Sequence, residues 1–342
     1  MDTKSLSNNG QDTQPEAKLS PDTSMPKEAG TPEETIAPPE SKFPEAVLKT
    51  ELPLPLFKKD GAKDIYDLGE YHLAVYTDRA GVSGLTIEGG IPQRGLYLAR
   101  LAAYWLEKTK LSTPNHFEAY LQTPEELQQF LKEGVSLELP EDLIGRCIVF
   151  TKSDPLDIEF EIWGFLTGPV WTEYQKSETV FGKPQISGLL HSQCIPGEVI
   201  TAFKSDETGV RKQLSDEEVI EITGQDLFDD IKAACAKIYN DAQRTLRISG
   251  KFIPAYMKIM FDQNTNKACI AGDILTPDTA CYWDAQNYRV GSPHYNFESQ
   301  TLRAWLAHTS WKHPKPLPQI PAEVKQQTAE KHRVLCERII GK

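Results

Sequence analysis

Between Gly95 and Thr109 the apolar positions Leu98, Leu101, Ala102, Trp105 and Leu106 recur every three or four residues, which predicts a helix with one buried stripe. A longer run with the same period, Leu227, Ile231, Ala234 and Ile238, continued by Ala242 and Leu246, predicts a helix from Asp226 that stops at Gly250. A third opens at Pro321-Ala322-Glu323 and carries Val324, Ala329, Val334, Leu335 and Ile339-Ile340. Ser215 with Glu218 forms a capping-box pattern, and Thr123-Pro124-Glu125-Glu126 reads as a helix start. Other stretches lack this period. From Asp157 to Ile162 the residues Ile158, Phe160 and Ile162 alternate with polar neighbours, as in a half-buried strand. His72–Thr77, Leu85–Ile87, Arg146–Thr151 and Phe252–Phe261 read as further strands. Asp262–Lys267 reads as a hairpin turn, with Ala268–Ala271 returning as the partner. Strands come first and mixed strands and helices follow, so the fold class is α+β, with antiparallel sheets and packed helices.

Composition changes the picture at the N-terminus. Residues 1–47 hold seven prolines, many Ser, Thr, Glu and Asp, and no aromatic residue before Phe43. Such a segment buries too little apolar area to offset backbone ordering and is expected to be a disordered, acidic tail. The folded part is expected to divide into an N-terminal sheet lobe, 48–160, and a C-terminal α+β lobe, 161–342. The net charge of −12 gives no long-range attraction for nucleic acid or an anionic membrane. No apolar run approaches the roughly 20 residues that span a bilayer. The expected partner is a small-molecule substrate, the expected location cytoplasmic, and the oligomeric state stays open.

Six cysteines in 342 residues make no disulfide scaffold, and none are paired at zinc-ligand spacing, so neither a metal nor a cofactor is expected. There is no Walker A loop, dinucleotide fingerprint, HExxH or G-x-S-x-G elbow. Asp273 and Asp278 flank Leu275-Thr276-Pro277 and either meet a cation or cap a loop. His191, Cys194, Lys204, Tyr256 and Lys258 are acid–base candidates.

Several segments in register carry a resemblance. Asp64–Gly69, Thr77-Asp78-Arg79, Gly90–Gly95 and Leu101–Trp105 come in order, followed by Gly164–Gly168 with Trp171–Tyr174, Ile274–Thr279 with Tyr282-Trp283, and Gln300–Leu306. Their order and spacing resemble the SAICAR synthetase family over about Asp60 to Gly341, with the longer fungal-type members nearest. The resemblance implies a two-lobed, ATP-grasp-like ligase. Such an enzyme holds ATP and magnesium between its lobes and joins the carboxylate of an aminoimidazole ribonucleotide to the amine of aspartate.

The chain also departs from the family pattern. Gly61 stands where the resemblance implies a phosphate-binding Lys, and Lys63 stands at an Arg. Trp163 replaces a substrate-facing Arg, Tyr256 and Met260 replace two carboxylates around a retained Lys258, and Cys281 replaces an Arg. These changes predict an apolar pocket lined by Trp163, Phe165, Phe203, Tyr256, Met257, Met260 and Cys281, with Arg79 of the Asp-Arg motif also substrate-binding. Lys258, Tyr256, Asp273 and Lys204 would handle protons, the apolar setting readying the Lys258 amine as a base. The expected function is a repurposed enzyme that cyclises, condenses or rearranges an organic, secondary-metabolite substrate without ATP. Its ATP–magnesium dissociation constant should then exceed about 1 mM. The alternatives are a non-catalytic small-molecule-binding pseudoenzyme and an ATP-dependent, amide-forming ligase, the last requiring Lys63, Lys258 and Asp273 to converge on one site.

Overall fold

A computed structural model describes residues 43–82, 84–206, 210–248, 251–312 and 315–341. Most of the expected tail, the helix stop at Gly250 and the loop residues Glu207-Thr208-Gly209 lie outside the described residues. Strands β1 (Leu56–Asp60), β2 (Lys63–Asp67) and β3 (Tyr71–Tyr76) are followed by a small hairpin, β4 (Gly81–Val82) and β5 (Leu85–Thr86), and by helix α1 (Arg94–Thr109). Strands β6 (Phe117–Leu121) and β7 (Cys147–Thr151) complete a first antiparallel sheet in the order β1-β2-β3-β7-β6. Residues 152–158 cross to β8 (Glu159–Phe165), so the lobe junction expected after residue 160 falls inside that strand.

Helix α2 (Gly168–Ser177), the short pair β9 (Thr179–Val180) and β10 (Lys183–Pro184), then β11 (Cys194–Ser205), β12 (Arg211–Leu214), α3 (Asp216–Thr223), α4 (Gln225–Ile248), β13 (Phe252–Ile259) and β14 (Ala280–Asp284) follow. The second sheet is antiparallel in the order β12-β11-β8-β13-β14. Helices α5 (Gln300–Ala307) and α6 (Ala322–Ile340) end the described chain. Among the described residues no helix is long and apolar enough to cross a membrane.

Alternation along β8 and β13 assigns their side chains to two faces. Phe160, Ile162, Met257 and Ile259 are buried in the core that includes Phe228, Ile231, Cys235 and Ile238 of α4. Met257, expected in a pocket, therefore belongs to this core. The same core runs on to Leu98, Leu101, Ala102, Trp105 and Leu106, the predicted stripe of α1. Close approach demands glycine at 164: a Cβ there would lie 2.0 Å from the hydroxyl oxygen of Tyr239, which donates to the Pro254 carbonyl at 2.7 Å.

The start of α1 has no cap of its own. Asp78, fully buried, accepts from the backbone N–H of Gln93 at 3.1 Å and of Gly95 at 2.8 Å, and its charge is met by Arg146 at 2.7 Å. The Ser215–Glu218 capping box forms as predicted, at 3.2 Å and 2.8 Å. The helix start at Thr123-Pro124 yields only a 3-10 turn, Glu125–Phe130. The hairpin 261–270 closes through a Phe261–Ile270 bridge rather than a full partner strand.

Candidate functional site

A cavity of about 1080 Å³ opens between the two sheets. Its first wall is the β1–β2 hairpin, with Phe57, Lys58, Asp60, Gly61 and Lys63, backed by Tyr76 of β3. Its second is the connector, Ser153 to Asp157. Its third comes from the second sheet and the loops around it: Glu159, Lys258, Met260, Gly272, Asp273 and Asp278. Gly61 sits at the hairpin tip with φ of 53°, a left-handed conformation that suits glycine.

The cavity is ionic rather than apolar. Lys63 Nζ meets Asp273 at 3.2 Å, and the Tyr76 hydroxyl donates to the other oxygen of that carboxylate at 2.5 Å. Burial pulls the Lys63 ammonium down, but the carboxylates of Asp273, Asp60 and Asp278 outweigh it and hold the group above its ordinary value. Burial and Asp273 push the Tyr76 hydroxyl well up, so it remains a neutral donor. Arg94, at the start of α1, pairs with Asp278. Lys258 Nζ lies 3.2 Å from Glu159 and 3.5 Å from Glu161. Its neighbours are thus carboxylates, which removes the apolar setting expected for it.

The residues expected from the sequence divide. Lys258, Met260, Asp273 and Arg79 line the cavity; Tyr256, Lys204, Trp163, Phe165, Phe203 and Cys281 do not. Arg79 is a structural tie: it pairs with buried Asp64 at 2.8 Å and donates to the carbonyls of Gly61 at 2.9 Å and Leu48 at 3.1 Å. Trp163 is buried, stacks on Tyr256 at 4.3 Å between ring centroids, and donates its indole N–H to Glu161 at 2.8 Å. The two rings fill each other's faces and leave no apolar pocket between them. Burial pushes the Tyr256 hydroxyl up, away from acid–base use near neutrality. Phe165 and Cys281 are packed with Ala255 and Trp283, and burial likewise raises the Cys281 thiol. Phe203 lies under the Arg211 guanidinium, 4.2 Å from ring centroid to the guanidinium carbon. Lys204 is exposed and reaches Asp157 at 3.3 Å.

Among the cavity residues that the sequence reading does not single out, Arg94 and Tyr76 hold the two central carboxylates, Asp278 and Asp273. Arg94 sits at the end of the Gly90–Gly95 motif, which was read only for its resemblance. Tyr76 ends an apolar strand and is buried, and its hydroxyl meets Asp273 at the cavity wall.

Comparison with known proteins agrees with this architecture. A family model described as SAICAR synthetase matches residues 57–318. The phosphoribosylaminoimidazole-succinocarboxamide synthase of Thermodesulfovibrio yellowstonii is 30% identical over 290 residues, covering 84% of this chain and 96% of that protein. The enzyme of the same name from Elusimicrobium minutum is 31% identical over 290 residues, covering 85% and 97%. The structure of SAICAR synthase from Saccharomyces cerevisiae, complexed with SAICAR, superposes with a TM-score of 0.76 at 26% identity, covering 86% of this chain and 98% of that one. Bacterial members match over nearly their whole length, so the expected nearness to fungal-type members in particular finds no support. Two antiparallel sheets enclosing an ionic cleft, with the matched stretch running through both, lead to one assignment: the chain belongs to the SAICAR synthetase family.

Proposed function

We propose that this chain is an ATP-dependent ligase that activates a carboxylate and joins it to an amine, the alternative that required Lys63, Lys258 and Asp273 to meet. The observation that carries it is their convergence: the three residues come from two sheets and a loop, and all line one cavity. Phosphoryl transfer asks the protein mainly for positioning and charge. Lys63 and Lys258 supply cations at the hairpin and at the second sheet. Arg94 supplies a third at the start of α1.

The magnesium that accompanies ATP is part of the substrate. It is commonly held by one or two carboxylates together with phosphates and water. Asp273 and Asp278 suit that role. Among the described residues no three His, Cys, Asp or Glu side chains form a ready cage, so the ion would arrive with the nucleotide. Asp273 already holds Lys63, and Asp278 already holds Arg94. Binding of the nucleotide salt would then be an exchange: phosphates take the cations, and the metal takes the carboxylates.

Neither the ATP-free reading nor the secondary-metabolite substrate has support in this cavity, because the aromatic residues that suggested them pack against one another. The test is calorimetry with ATP–magnesium, followed by ADP release in the presence of carboxyaminoimidazole ribonucleotide and aspartate. A dissociation constant at or below about 100 μM, with substrate-dependent ADP release, is the expected result. No binding at about 1 mM sinks the ligase reading.

A further inference from the structure

His116 lies one residue before β6, outside the cavity, and touches three side chains. Its Nε2 is 2.9 Å from Asp262, just after β13, and 3.4 Å from the sulfur of Cys269. Its Nδ1 is 3.1 Å from the hydroxyl of Thr151, at the end of β7. Asp262 is 3% exposed. One of its oxygens also accepts from the backbone N–H of Asp154 at 3.0 Å, and the other from that of Asn264 at 2.7 Å. The return contacts are equally direct: Gln263 N–H donates to the Asp154 carbonyl at 2.9 Å, and Leu156 N–H to the Phe261 carbonyl at 2.8 Å. Asp154 and Leu156 belong to the connector wall of the cavity.

We propose that His116 is a positioning residue for nucleotide binding, which acts through Asp262 to fix the connector wall, residues 153–157, against the second sheet. The proposal rests on the ligase reading for its ligand. A buried carboxylate that loses one of its donors must find another or draw in water. Either response moves Asp262, and the Asp154 amide moves with it. A cavity wall binds a ligand tightly only if its segment is held in place before the ligand arrives. The two ring nitrogens meet the two neighbours at once, Nε2 at Asp262 and Nδ1 at the Thr151 hydroxyl. Burial and the Asp262 charge push the Cys269 thiol up to about 11, so the third contact is a protonated thiol.

Two isosteres separate the contacts. His116→Gln places an amide nitrogen near the Nε2 position and keeps the reach to Asp262. His116→Asn keeps only the position of Nδ1. In the full chain, His116→Asn should speed amide hydrogen exchange of Asp154, Leu156 and Gln263 about tenfold, with β3 and α4 unchanged. It should weaken ATP–magnesium binding by calorimetry about tenfold, and His116→Gln should stay near the parent in both. If His116→Asn does not fold, Asp262→Asn should show the same local pattern. Parent-like exchange in the Asn variants, or equal loosening across the whole fold, overturns the proposal. If the exchange pattern appears but the parent chain binds no ATP, the ligase reading fails and takes the nucleotide part of the proposal with it, while the fixing of the wall stands.

Discussion

Lys63 and Asp273 lie 210 positions apart in the chain, yet their charged atoms are 3.2 Å apart across the mouth of the cavity. Both are mostly shielded, with side chains 20% and 11% exposed. The pair holds the hairpin tip to the loop that precedes β14. It also keeps a cation and a carboxylate waiting where a nucleotide salt would need them.

Replacing Lys63 by Met should therefore weaken ATP–magnesium binding by about tenfold or more, since a charge-assisted contact to phosphate is lost. Asp273→Asn should act differently: it frees Lys63, so metal-free ATP binds at least as well as to the parent, while the gain from magnesium shrinks. Calorimetry with and without magnesium reads both. Equal loss in the two variants under both conditions would contradict the exchange.

Trp163→Ala removes a buried ring that stacks on Tyr256 and meets Phe181 edge-on. The cost should be about 3–5 kcal/mol of folding stability, measured by urea unfolding. Trp163→Phe should retain most of it. Unchanged stability in the Ala variant would restore the ring to an open pocket wall.

Glu298 is a buried carboxyl with one oxygen unpartnered, and burial, seconded by Asp278, pushes it from its ordinary 4.5 to about 8. In that interval the folded chain keeps a proton that the unfolded chain has released. The stability contributed by Glu298 is thus fully present below its unfolded value and is lost as pH rises towards about 8. Glu298→Gln cannot ionise. It should melt about 3 °C or more above the parent near pH 9, with the gap narrowing below pH 8 and closing only towards pH 4.5. His332, which burial pulls down to about 4, loses its contribution as pH falls below its ordinary 6.5, within the lower part of this window, but it does so equally in parent and variant and cancels from the gap. A pH-independent gap would refute the assignment.

Gly164→Ala drives a methyl into the Tyr239 hydroxyl and should destabilise the fold by about 1–3 kcal/mol. Tyr239→Phe costs its hydrogen bond to Pro254 but removes the closest clashing atom, leaving ring carbons 2.7 and 2.9 Å from the added methyl. The double variant should be less damaged than the sum of the singles, and strict additivity in unfolding experiments would show that the contact is not the cause.

The sequence was most legible where burial imposes a period. The α1 stripe, α4, the capping box at Ser215 and the alternation of β8 stand where the sequence pattern places them, and the apolar runs His72–Thr77 and Phe252–Phe261 contain β3 and β13. Strand β1 was not legible, because all five of its residues are exposed and nothing forces an alternating pattern. Strand β11 was missed for a related reason: its register shifts between Cys194 and Val199, so no single alternation runs through it. At the site, Lys258 and Asp273 were readable because charged residues amid apolar strands and turns demand partners. Trp163 misled because an indole suits a pocket wall and a packed core equally well, and only the facing Tyr256 decides between them. The Lys63–Asp273 and His116–Asp262 contacts carry no local signal at all, since each joins residues more than a hundred positions apart.

The cavity walls are drawn from residues within 57–63, 79–82, 84–86, 153–159, 258–260 and 271–279, with His72, Tyr76, Arg94 and Leu98, and none of these segments encloses space by itself. Closing contacts over such separations is slow compared with forming a helix or a hairpin. A chain leaving the ribosome shows its Lys63 wall long before Asp273 has been made. Any ligand of this cleft can therefore be recognised only once segments from both ends of this span, Phe57 to Thr279, have come together. A ligand that binds only the finished cleft favours the completed fold over every partial one, so the concentration of substrate also sets how many molecules stay intact.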